Sequence, residues 1–107
     1  MKIEFRLASP FQKIEYTGFL DGLAREYASL LPPAGRMEIK VDVRSGSKTE
    51  PKPSLLIRSL QEDGSYSVKL NFLTLPSKHS VQLPTPAEVY KRLQVAFQRV
   101  IDLCARK

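Results

Sequence analysis

Between Lys2 and Leu7 polar and apolar residues alternate without a break, with Ile3, Phe5 and Leu7 on one side and Lys2, Glu4 and Arg6 on the other. Successive strand residues point to opposite faces, so a period of two predicts a half-buried β-strand. Ala8 to Ile14, interrupted by Ser9-Pro10, reads as an irregular connection. The spacing then changes. Leu20, Leu23, Ala24, Tyr27, Leu30 and Leu31 recur at helical intervals, which predicts a helix with Thr17 as its N-cap. Pro32-Pro33 ends it, because proline lacks the next backbone donor and restricts the residue before it.

Strict alternation returns from Met37 to Arg44, with Met37, Ile39, Val41 and Val43 inward and Glu38, Lys40, Asp42 and Arg44 outward. Ser45 to Pro53 carries Gly46, two prolines and two lysines and reads as a mobile loop between strands. A third strand, roughly Leu55 to Leu60, alternates less clearly, which leaves its facing open. Glu62-Asp63-Gly64 reads as a tight turn, the Asp-Gly pair favouring the positive backbone angles of a hairpin. A fourth strand follows, with Tyr66, Val68, Leu70 and Phe72 on one face and Ser67, Lys69 and Asn71 on the other. Pro76-Ser77-Lys78 then turns the chain toward a short edge strand at Ser80 to Leu83.

The last element carries the strongest local signal. Thr85-Pro86-Ala87-Glu88 combines an N-cap threonine, proline at the first helical position and a glutamate three residues after the cap, which is a capping box. The helix it opens has a core stripe of Val89, Leu93, Ala96, Phe97, Val100 and Cys104, with Lys91, Arg92, Gln98, Arg99, Asp102 and Arg106 on the opposite side. The whole pattern predicts a single α+β domain over residues 1–107, a two-layer sandwich in the order β-α-β-β-β(-β)-α. Its sheet is expected to be mostly antiparallel, with two helices on one face and the other face open to solvent.

A chain of 107 residues suffices for one hydrophobic core, and 42% hydrophobic with 26% charged residues is ordinary for a globular domain. No apolar run approaches the roughly 20 residues of a membrane helix. Lys2, Glu4 and Arg6 interrupt any signal-peptide-like stretch at the N-terminus, so the expectation is a cytoplasmic or organelle-interior protein without a membrane partner. Charge changes the picture most. A net charge of +6 and a pI near 9.7 favour anionic partners, nucleic acid among them, while saying nothing about fold.

Catalytic chemistry finds little to work with. His79 is the single histidine and has no recognisable motif around it, and Cys104 is the single cysteine, placed on an apolar helix stripe where a packing role is expected. The carboxylate pairs Asp21/Glu26, Glu38/Asp42 and Glu62/Asp63 fall on a helix exterior, a strand exterior and a turn. Ser45-Gly46-Ser47-Lys48 lacks the spacing of a phosphate loop, and no helix follows it. The sequence therefore predicts no enzyme, no cofactor and no metal. What remains is the distribution of positive charge. Lys40, Arg44 and Lys69, with Lys2 and Arg6, fall on the exposed sheet face, joined by Arg58 if the third strand faces that way and extended by Lys48 and Lys52 in the loop. Lys91, Arg92, Arg99 and Arg106 on the last helix make a second basic surface, whereas Asp21, Arg25, Glu26 and Ser29 leave the first helix without positive excess. Phe5, Tyr27, Phe72 and Phe97 all lie on core stripes, so phosphate contacts to folded RNA are favoured over base stacking.

Two resemblances bear on this reading. Met1-Lys2-Ile3-Glu4, Thr17 and Leu20 at the start of the first helix, and Val89-Tyr90 followed by Leu93, Phe97 and Val100 resemble the ribosome-hibernation-factor family, which also runs strand, helix, three strands, helix. That resemblance implies binding to the small ribosomal subunit through basic helix residues. Phe19 through Lys107, including Leu55-Leu56-Ile57-Arg58 before the Asp63-Gly64 turn, is similar to the Alu-domain subunits of the signal recognition particle. This second resemblance implies RNA on the open sheet face and a heterodimer. The leading expectation is non-catalytic binding of structured RNA or a ribonucleoprotein such as the ribosome. The alternative is a protein-interaction module, an adaptor, inhibitor or complex subunit, homo- or heterodimeric, that uses the sheet face or the last helix, with Leu56, Leu60 and Val95 as candidate contacts.

Overall fold

The computed structural model describes residues 1–45, 54–60, 62–74 and 83–106. Strands β1 (Lys2–Leu7), β2 (Arg36–Ser45), β3 (Ser54–Ser59) and β4 (Tyr66–Thr74) form one four-stranded sheet in the order β1-β2-β4-β3. Helices α1 (Ile14–Thr17), α2 (Leu20–Ala28) and α3 (Pro86–Ala105) complete a compact α+β domain. The inward sets anticipated for β1, β2 and β4 join Leu20, Leu23 and Tyr27 of α2 and Val89, Leu93, Ala96, Phe97 and Val100 of α3 in one core. Tyr27 stacks on Phe97 at 4.7 Å between ring centroids, and Phe5 meets the same ring edge-on at 6.4 Å.

The sheet is mixed, which corrects the mostly antiparallel expectation. β1 runs parallel to β2 and β2 parallel to β4, while the one antiparallel pairing joins β3 to β4. β3 does not pair with the strand that precedes it. It lies at the sheet edge, and its hairpin returns β4 alongside β2 in the same direction. Alternation decides which residues face the core, and it is the same for either direction of a neighbour.

Three local expectations around the first helix are also corrected. Thr17 is not an N-cap: it ends α1, and α2 starts from Phe19, whose backbone is already in the right-handed helical region and whose ring packs on Tyr90 at 5.1 Å. The connection Ala8 to Ile14 is not irregular throughout. It contains a 3₁₀ turn at Ser9–Phe11 that seats Phe11, fully buried, against Tyr16 and Phe72 at 5.2 and 5.8 Å. Leu30 is 60% exposed, because α2 stops at Ala28 and the Leu30 and Leu31 amides bond back to Tyr27 and Ala28, tightening the turn so that Leu31 points inward instead.

α3 begins at the expected residue with half of the expected capping box: the Thr85 hydroxyl accepts from the Glu88 amide at 3.2 Å and proline holds the first position, but among the described residues the exposed Glu88 carboxylate makes no bond back to the Thr85 amide. The buried Tyr16 hydroxyl donates to the Pro84 carbonyl at 2.8 Å and ties α1 to this helix start. Burial first, then the nearby Glu15 and Glu88 carboxylates, push the phenol above its ordinary value of 10.0. Because the folded value exceeds the unfolded one, this contribution is complete below pH 10.0 and is lost as pH rises further. Tyr16→Phe is expected to cost about 1 kcal/mol at neutral pH through the lost hydrogen bond. It should also flatten the alkaline decline, so urea titrations at pH 8 and above 10 that show parallel declines in both proteins refute this role.

At the end of the sheet where β2 and β4 begin, two turns meet. Gly35 has φ +88°, and a Cβ there stands 2.7 Å from the Gly64 carbonyl oxygen. Gly64 has φ +89°, as the Asp-Gly pair foretold, but Asp63 keeps negative φ and accepts from the Ser65 amide through Oδ1 at 3.0 Å. The Arg36 amide donates to Ser65 Oγ at 3.3 Å, linking the two turns. Cys104 is half-buried, its thiol 3.8 Å from the Tyr66 hydroxyl. Of the expected edge strand, Ser80 to Gln82 lie outside the described residues, and Leu83 is not in a strand. No described helix is long and apolar enough to cross a membrane.

Candidate nucleic-acid interface

Register turns alternate strand positions into rows that run across the sheet. On the face away from the helices one row reads Glu4, Glu38, Ser67, Arg58, and the next reads Arg6, Lys40, Lys69, Leu56. Neighbouring strands lie about 5 Å apart, so Arg6, Lys40 and Lys69 form a cationic line across three adjacent strands. β3 faces as its outward set requires: Leu55 and Ile57 pack on the core, while Leu56 and Arg58 are exposed. Arg58 therefore belongs to this face. Arg44 and Lys2 share it, and so does Arg36, in register with Lys2.

The face carries seven cations, Lys2, Arg6, Arg36, Lys40, Arg44, Arg58 and Lys69, all exposed, against three half-buried carboxylates, Glu4, Glu38 and Asp42. Depth sorts the charges. The carboxylates sit low and orient the longer cationic side chains: Arg6 Nε is 2.9 Å from Glu38, which also meets Arg36 at 3.9 Å, and Lys40 is 3.7 Å from Asp42. Such exposed pairs are worth at most about 1 kcal/mol and exchange readily for another anion. Lys69 has no ion pair among the described residues. No aromatic side chain is described on this face.

The second basic set divides. Arg92, Arg99 and Arg106 recur every seven residues along one flank of α3, and Arg99 and Arg106 border a groove against β3. Asp102 lines that groove too, which corrects the expectation that all of these project away from the sheet. Lys91 is exposed on a different flank, and Arg92 is half-buried. The structure thus brings Lys40, Arg44, Arg58 and Lys69 onto one surface and keeps the α3 arginines apart from it. Lys48, Lys52 and His79 lie outside the described residues. No group of three or more potential metal-binding side chains occurs among the described residues.

Arg36 escaped the sequence reading although its signal was present: it continues the outward alternation of Glu38 and Lys40 by one more step. The cationic row itself was not legible, since it depends on register between strands about 30 residues apart. The chain matches no known family model, no curated protein and no solved structure.

Proposed function

We propose that this protein binds structured RNA, without acting on it chemically, through phosphate contacts made by the open face of the sheet. The observation that carries this reading is the in-register line Arg6, Lys40, Lys69, set in a face whose exposed charges are all positive. Lysine and arginine engage phosphate oxygens without reading base identity, and a rigid sheet holds them at fixed spacing. A folded RNA offers phosphates at a density that matches such a surface, whereas a stacking platform for single strands needs exposed aromatic rings. With the 3₁₀ turn, α1 and α2 taken as one helical segment, the element order strand, helix, three strands, helix is the order implied by the resemblance to ribosome-hibernation factors, which makes the small ribosomal subunit the first natural RNA to try.

Affinity for an RNA hairpin is expected to fall steeply with salt, log K dropping by about 0.7–0.9 per phosphate neutralised for each unit of log salt. Lys40→Glu with Lys69→Glu should weaken binding about tenfold or more and flatten that slope by about two contacts. Arg92→Glu with Arg99→Glu is the control. Fluorescence anisotropy in which the helix pair, and not the sheet pair, abolishes binding overturns the assignment to the sheet. Undetectable binding at low salt to both hairpin RNA and ribosomal subunits overturns the function.

A further inference from the structure

β3 is an edge, and the phase of its ladder defines what that edge offers. The Leu60 amide donates to the Ser65 carbonyl at 2.8 Å, which makes Ser54, Leu56 and Arg58 the residues that exchange hydrogen bonds with β4. Leu55, Ile57 and Ser59 consequently turn their N–H and C=O groups outward, where no described strand pairs with them. Natural edges are commonly guarded by charge, a bulge or a covering element, and β3 has Arg58 as its one charge. Beside this edge lies the groove against α3, about 430 Å³ in volume, lined by Leu55, Leu56, Ile57 and Leu103 with Arg99 and Arg106 on its rim. Leu56 is 53% exposed and Leu103 is 37% exposed. Asp102, the one carboxylate in the groove, accepts from Gln98 at 3.1 Å, whereas Arg99 and Arg106 have no ion pair among the described residues.

We infer that this edge and groove form a second binding site, which takes an extended acidic segment of a partner protein as a fifth strand. The backbone groups of Leu55, Ile57 and Ser59 supply the hydrogen bonds of strand addition. The aliphatic floor takes the partner's apolar side chains, and Arg99 and Arg106 take its carboxylates. Charge selects this occupant over a second copy of the chain: antiparallel self-pairing through β3 sets Arg58, Arg99 and Arg106 of one protomer close to those of the other, on chains that each carry +6. The site adjoins the RNA face at Leu56, but its cations Arg99 and Arg106 belong to the helical layer.

Selection of random twelve-residue peptides on the folded protein tests the inference. Recovered sequences are expected to alternate aliphatic with Asp or Glu residues. On titration with such a peptide, amide hydrogen exchange should slow at Leu55, Ile57 and Ser59. Ser59→Pro removes an outward donor at an exposed position while leaving the bonds to β4, and it should abolish binding. Arg99→Glu with Arg106→Glu should weaken binding about tenfold or more. Arg6→Glu with Lys40→Glu, on strands that do not border β3, should leave it unchanged, which separates this site from RNA binding. Failure to recover any peptide, recovery of peptides without carboxylates, protection elsewhere than β3, or sedimentation showing a dimer joined through β3 each overturns it.

Discussion

Replacing Phe11 by alanine is expected to cost about 3–5 kcal/mol of folding stability, the range for removing a buried aromatic ring and leaving its cavity. Phe11 is fully buried and packs against Tyr16 and Phe72, so the loss opens a void between the 3₁₀ turn, α1 and β4. Neighbouring side chains cannot collapse into it easily, because Tyr16 is also held by its hydrogen bond to Pro84. Domains of this size have only about 5–15 kcal/mol in total, so the variant should be close to unfolding. Ile14→Ala, three residues away at 82% exposure, should change stability by no more than about 0.5 kcal/mol. Urea denaturation of the two variants decides the matter. A Phe11→Ala midpoint close to that of Ile14→Ala means that the connection after β1 is not part of the core.

The second large effect separates two glycines of nearly equal φ. Gly35→Ala forces a side-chain-bearing residue to φ +88° and sets its Cβ 2.7 Å from the Gly64 carbonyl oxygen, with the carbonyl carbon at 2.9 Å. The conformation alone costs about 1–2 kcal/mol. Because the obstacle is backbone, relief requires the turns before β2 and β4 to move apart, and the total should reach about 3 kcal/mol or more. Gly64→Ala meets nothing within 4 Å, so its cost should stay at about 1–2 kcal/mol. At about 4–8 °C per kcal/mol, the two melting temperatures should be readily resolved. Equal shifts refute the contact between the turns.

These two residues also mark what the sequence discloses and what it withholds. The faces of β1, β2 and β4 and the start of α3 were legible because each depends on local period or on a cap of four consecutive residues. Phe11 was not, since a single aromatic between Pro10 and Gln12 has no period to join, and only the tertiary fold turns it inward. Leu30 failed for the complementary reason: its spacing continues the helical stripe two residues beyond the point where the helix stops. The outward identity of Lys40, Arg44 and Lys69 was readable from alternation, and Arg58 became assignable once β3 had a partner. Which of them stand side by side was not, because parallel and antiparallel neighbours accept the same pattern. The same alternation could not show that Arg99 and Arg106 look across at β3.

The line of Arg6, Lys40 and Lys69 has an energetic side as well as the recognition role proposed for it. Like charges directly opposite one another weaken a sheet, and here Lys40 faces Lys69. The bare domain therefore carries repulsion that an apolar or alternating-charge face would not. A polyanion seated on the cations relieves it, and by mass action adds RT ln(1 + [L]/Kd), about 2.7 kcal/mol at a hundredfold excess over Kd. On the proposed function, occupancy and stability are one equilibrium: a bound RNA supports the strand pairings that present it with its contacts.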